Sequence, residues 1–195
     1  FSVRLSSDFT SRVFYDNKGN IDFQSTEFST SNTFENLKLI DYPLLKDILD
    51  YFDQSIITRN IIDLEYYQKK INKVQFENFD SKISMKDGQV YIAETIVDND
   101  ILKFNIYGQY WLNGSVDYHL NFNWADIAKK KRNKSEDIEI EQQDGKQLFL
   151  KINGHIDDLN YSLDKSEIKK DRRNKMEQEK ESLKKIINGE EVNEK

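Results

Sequence analysis

The chain has two histidines, and each stands two residues from an aspartate. In "NGHIDD" His155 could serve as a general base oriented by Asp157, and in "VDYH" His119 follows Asp117. General-base chemistry also needs a partner held for attack. The patterns that supply one are missing: there is no Gly-x-Ser-x-Gly elbow, no Gly-rich phosphate loop and no His-Glu-x-x-His. An Asp- and His-rich turn is far more often a turn than a base, and an exposed strand position is the default for His119. Asp98-Asn99-Asp100 offers hard oxygens, but not the ligand spacing or the distal bidentate acid of a calcium loop. The absence of cysteine excludes disulfides, thiolate zinc sites and a cysteine nucleophile. The sequence supports no enzyme, no metal site and no cofactor.

What the sequence does carry is a pattern. From Phe104 to Trp124 an apolar side chain stands at almost every even position (Phe104, Ile106, Tyr110, Val116, Tyr118, Leu120, Phe122, Trp124). Asn105, Gln109, Asp117, His119, Asn121 and Asn123 stand between them. Alternation of this kind is the period of a half-buried strand. Asp87-Gly88 suits a two-residue type I′ turn, which sets Met85 opposite Val90 and Ile83 opposite Ile92. "LNG" at 112–114 fits a three-residue loop with Gly114 left-handed, setting Phe104 opposite Phe122, Ile106 opposite Leu120 and Gly108 opposite Tyr118. A two-residue Asn-Gly turn would mix apolar and polar residues on both faces, and is rejected. The expectation is an antiparallel meander over residues 79–124, apolar on one face, within a mainly β fold.

Elements around the meander follow from the same rules. "SVRLS" and "IDFQSTEF" alternate as strands about a turn at "NKGN". "DYPLLKDILDYF" places Leu44, Leu45, Ile48, Leu49 and Phe52 on one face of a short amphipathic helix, about 43–53, with Pro43 in its first turn. "RNIIDLEYYQKKIN" leans to helix. Residues 129–146, a basic run and then an acidic one, read as a solvated mobile loop. "KQLFLKINGHIDDLNYSLD" reads as a strand, a turn at Gly154 and a short strand. "DKSE" at 164–167 has the form of a capping box, opening a charged helix with a thin stripe of Ile168, Met176, Leu183, Ile186 and Ile187. Residues 1–162 thus form an open, twisted sheet domain, and 163–195 a charged helix and tail.

Composition limits partners. Of 195 residues, 37% are hydrophobic and 33% charged, so one domain is expected. The net charge of −6 argues against a nucleic-acid phosphate binder. No apolar run approaches the roughly 18 residues of a membrane-spanning helix. The opening "FSVRLSSDFT" lacks a methionine and a signal pattern, and the chain reads as a piece of something longer.

The segment 76–124, with Phe76, Phe79, Ile83, Met85, Asp87, Gly88, Gly108, Gly114, Asp117, Tyr118 and Leu120, resembles the C-terminal region of AsmA-like proteins, the group that includes the TamB type. Residues 147–187 are similar to that group's closing pattern of strand, glycine, Asp-containing turn and charged helix; Leu159 stands where the group often has proline. The resemblance implies a periplasmic Gram-negative envelope protein, tethered to the inner membrane by an N-terminal anchor absent from this chain. It further implies a bridge-like lipid-transfer sheet whose apolar face carries acyl chains, with phospholipid or another acyl lipid as partner. The expected lipid-contacting side chains are Ile83, Met85, Val90, Ile92, Ile96 and Leu102, then Phe104, Ile106, Tyr118, Leu120, Phe122 and Trp124.

Two readings compete for that face. Each apolar side chain left in water forfeits about 1.5–3 kcal/mol, so the face is covered by protein or occupied by acyl chains. Four strands span about 14 Å and run to roughly 30 Å. A ten-residue helix, about 15 Å long, covers about half of that. The competing reading is a structural module that docks another envelope protein through a sheet edge and the C-terminal helix.

Overall fold

A computed structural model describes residues 4–35, 38–40, 43–55, 67, 69–70, 73–76, 78–99, 102–123 and 146–188. Eight antiparallel strands make one open sheet: β1 (Arg4–Arg12), β2 (Glu27–Glu35), β5 (Asn78–Lys86), β6 (Gln89–Asp98), β7 (Lys103–Trp111), β8 (Ser115–Asn123), β9 (Gln147–His155) and β10 (Asp158–Leu163). They lie in that order across the sheet. Between β2 and β5 the chain inserts β3 (Lys38–Ile40), helix α1 (Pro43–Gln54) and β4 (Lys73–Gln75), with β3 and β4 paired as a separate ribbon. Helix α2 (Lys165–Ile187) follows β10.

The meander registers are those the turns require. Ile83 faces Ile92 and Met85 faces Val90; Phe104 faces Phe122, Ile106 faces Leu120 and Gly108 faces Tyr118. Asp87 and Gly88 both have positive φ, the signature of the type I′ turn, and Gly114 is left-handed at φ 91°. The expected mainly β, open, one-sided sheet is the fold, and it extends beyond the meander at both sides.

Three local expectations are corrected. β2 begins at Glu27, not at Ile21, because the Asp22 carboxylate accepts the backbone N–H of Gln24 and Ser25 and the Ser25 hydroxyl, folding 22–25 into a turn. The turn between β9 and β10 lies at Ile156-Asp157, not at Gly154. Gly154 belongs to β9, where a Cβ would sit 2.6 Å from the Asp158 carbonyl oxygen. The capping box forms by half: Asp164 caps α2, but its own N–H goes to the Phe149 carbonyl, and Glu167 turns to the sheet. Residues 129–145 of the expected loop and most of "RNIIDLEYYQKKIN" lie outside the described residues.

The core sits where α1 meets the C-terminal half of the sheet. Leu45, Ile48, Leu49 and Phe52 are buried against Phe104, Leu120, Phe122, Leu148, Leu150 and Ile152. Phe52 packs edge-on to Phe122 at 5.5 Å, and Tyr161 donates its hydroxyl to Asp47 of α1 at 3.1 Å. Burial, then the Asp47 carboxylate, pushes the Tyr161 phenol well above its ordinary range.

Gly108 lies in the middle of β7 at φ 149°, and a Cβ there would fall 2.2 Å from the Asp117 carbonyl oxygen and 2.9 Å from the Tyr118 ring. Gly108→Ala is expected to cost about 2–3 kcal/mol through backbone strain and overpacking. A denaturant midpoint left unchanged by the substitution would contradict this packing.

Candidate functional site

The apolar face is divided by α1. Leu102, Phe104, Leu120 and Phe122 are buried in the core beneath or beside the helix, and Tyr118 and Ile106 pack at its margin. The other half, on β1, β2, β5 and β6, carries Phe9, Phe28, Ile83, Met85, Val90 and Ile92 on the same face, as the registers require. Met85 is buried; Phe28, Ile83, Val90 and Ile92 are half-buried. Phe9, on the outermost strand, is 63% exposed and lies 6.0 Å from the Phe28 ring. Trp124 lies outside the described residues.

Ile96 does not belong to this face. A bulge in β6 sets Ala93 and Glu94 opposite the single residue Tyr107, so Ile92 pairs with Gly108 but Thr95 pairs with Ile106. Parity reverses there. Thr95 and Val97 take the apolar side, while Ile96 pairs with Asn105 on the polar side and is 56% exposed.

The apolar half-face is interrupted by polar side chains. Ser7, Thr30 and Asn32 lie on it, with Ser7 Oγ 2.8 Å from Thr30 Oγ1 and donating to Asn32 Oδ1 at 2.7 Å. Asn32 Nδ2 reaches the Ser81 carbonyl at 3.5 Å. These groups satisfy one another. Beyond Ser7, Asn32 and Ser81 the registers pair Leu5 with Phe34 and Phe34 with Phe79 on the same face, so the polar row separates two apolar rows.

The opposite face contains the site that sequence reasoning missed. His119, expected as an exposed strand residue, is instead partly covered by the start of α2, with Nδ1 2.5 Å from Asp164 Oδ2. Asp164 is 1% exposed. The Tyr107 ring stacks on the imidazole at 4.9 Å and 10°. Tyr107 is pushed well above its ordinary range by burial first, and then by Glu167, which accepts its hydroxyl. Lys151 reaches Asp117 at 2.9 Å, and the Asp117 carboxylate lies 3.8 Å from His119 Nε2. The bulge, Tyr107, His119, Phe149 and the first turns of α2 border a cleft of about 340 Å³. This arrangement ties a helix to a sheet; among the described residues it places no serine, threonine or cysteine nucleophile beside His119. His155, the other candidate base, donates its Nε2–H to the Asn113 carbonyl, 3.1 Å away, and closes the loop ends of β8 and β9. The signal for the His119 cluster was the capping aspartate, but its partner 45 residues earlier in the chain is fixed only by strand register.

Comparison with protein-family models, with curated proteins and with solved structures gives no match. Among the described residues no helix is long and apolar enough to cross a membrane.

The buried carboxyl of Asp164 is raised by desolvation, but the Ser166 hydroxyl, His119 and the Glu167 amide outweigh that and hold it below its ordinary 3.8. A depressed folded value makes its stabilisation complete above that ordinary value, and lost as pH falls through the lower folded one. Asp164→Asn is expected to remove that acid-limb dependence and to cost about 2 kcal/mol at neutral pH, from cap and buried hydrogen bonds. Circular dichroism across an acid titration measures both. An unchanged acid limb would show that Asp164 does not hold α2.

Proposed function

We propose that the chain is a non-enzymatic lipid-handling module of a Gram-negative envelope, the end of a bridge-like groove whose apolar sheet face holds the acyl chains of phospholipid or a related lipid. The observation that carries this reading is the half-covered face. α1 seals β7 to β10, while Phe9, Phe28, Ile83, Val90 and Ile92 form an apolar surface on an open sheet. Such a surface, flanked on one side by a helix, suits a ligand that is apolar along much of its length. Chemistry on the lipid is not required; binding by partition is enough. The AsmA-like resemblance of residues 76–124 and 147–187 supports the periplasm as its compartment.

A second reading, a structural module docking another envelope protein, is favoured by the β1 edge. Ser6 to Arg12 are all exposed on the outermost strand, which offers a template for an added strand.

The residues that test the lipid reading are those outside the core. Phe104→Asp and Leu120→Asp would unfold the protein rather than report on lipid, because both side chains are buried under α1. Ile83→Asp is expected to strip bound phospholipid, seen by native mass spectrometry of gently purified protein, at least tenfold relative to the parent. Lys82→Asp, one residue away on the opposite face, is expected to leave lipid content unchanged. Equal lipid content in parent and Ile83→Asp, or a lipid-free folded parent, would overturn the proposal.

A further inference from the structure

Helix α2 is a long arm with a short root. It runs 23 residues, about 35 Å. Only its first turns touch the sheet: Asp164 is buried, Glu167, Ile168 and Asp171 are half-buried, and from Arg172 to Ile187 every residue but Ser182 is exposed. Lys170 pairs with Glu167 and Lys175 with Asp171, which stiffens the root without adding cover.

Two independent properties of this arm point to one kind of surface. The first is charge. Lys165–Ile187 holds nine Lys and Arg against five acidic residues, net +4, while the rest of the chain has twenty basic and thirty acidic residues, net −10. A basic helix on an acidic body is attracted to anionic surfaces and turns its helix, not its sheet, toward them. The second is the stripe. At 100° per residue, Ile168, Met176, Leu183, Ile186 and Ile187 fall within one arc of about 100°. Leu183, Ile186 and Ile187 crowd the free end, 58%, 60% and 82% exposed, with Lys184 and Lys185 between them.

The same arc holds Arg172 and Glu179, so no unbroken apolar seam exists for a coiled coil with another helix. A bilayer surface tolerates them, because long side chains can bury their stems and keep their charges among headgroups. We infer that the distal half of α2 lies on an anionic phospholipid surface, with Leu183, Ile186 and Ile187 in the acyl boundary and Lys180 and Lys184, which flank the apolar arc, against headgroup phosphates. This contact rests on the helix alone and does not depend on lipid occupying the sheet. It is peripheral and salt-reversible, since the apolar anchor is small.

The test is flotation of the full chain with vesicles of phosphatidylcholine alone, or of phosphatidylcholine with phosphatidylglycerol, at low and high salt. The parent is expected to float with the anionic vesicles only, and to be released by salt. Lys180→Gln with Lys184→Gln is expected to lower partition about tenfold or more, and Leu183→Ser with Ile186→Ser and Ile187→Ser to abolish it. Neither set unfolds the sheet, because α2 buries no residue, and circular dichroism checks this. Lys82→Gln, on the sheet, is the matched charge control and should float like the parent. Equal binding to neutral vesicles, binding insensitive to either set, or no flotation would overturn the inference. So would α2-dependent doubling of the mass in solution without flotation, which would make the partner a second copy. Lipid content of the sheet is read separately by mass spectrometry, so failure of one proposal does not imply failure of the other.

Discussion

Everything in this fold follows from the need to cover one face of one sheet. Strands with period-two alternation gain nothing by pairing unless their apolar side is taken out of water, at about 1.5–3 kcal/mol for each large side chain. α1 does this for β7 to β10, with Phe52 against Phe122 and Leu45, Ile48 and Leu49 over Leu120, Leu148 and Leu150. One helix of 12 residues cannot reach across eight strands. On the strands away from α1 the same face mixes polar and apolar side chains: Ser7, Thr30 and Asn32 stand among the apolar ones and satisfy one another. What remains is a smaller apolar patch around Ile83, Val90 and Ile92.

The polar face has its own organising contact. Asp164 ends β10, caps α2 and binds His119, so a single buried carboxylate joins two strands to the helix. The β6 bulge lies beside it and lets Glu94 and Ile96 emerge on that side. Rigidity is thereby concentrated at the root of α2, and the rest of the helix is left exposed.

Much of this was legible in the sequence, for definable reasons. Asp87-Gly88 and Asn113-Gly114 fix register because few other conformations suit them, and registers then dictate which side chains share a face. Pro43 and the Leu45, Ile48, Leu49, Phe52 spacing gave α1 the same clarity. The bulge was not legible: Ile96 continues the even alternation in "QVYIAETIVD", and only pairing with β7 reveals that Ala93 and Glu94 share one partner. Nor was the His119–Asp164 contact, since local sequence cannot tell that a capping aspartate will sit over a particular strand. The strand pairing of β2 with β5 was hidden by the β3–α1–β4 insertion between them.

The bulge also supplies the most direct test of the lipid surface. Ile92 and Ile96 are four residues apart on one strand, identical in chemistry and opposite in face, and Ile96 is the more exposed. A photo-crosslinking amino acid placed at each position in turn, in cells fed labelled phospholipid, separates surface accessibility from lipid contact. Crosslinking at Ile92 and not at Ile96 is the expected result. Equal labelling at both, or labelling at Ile96 alone, would contradict an acyl-binding face.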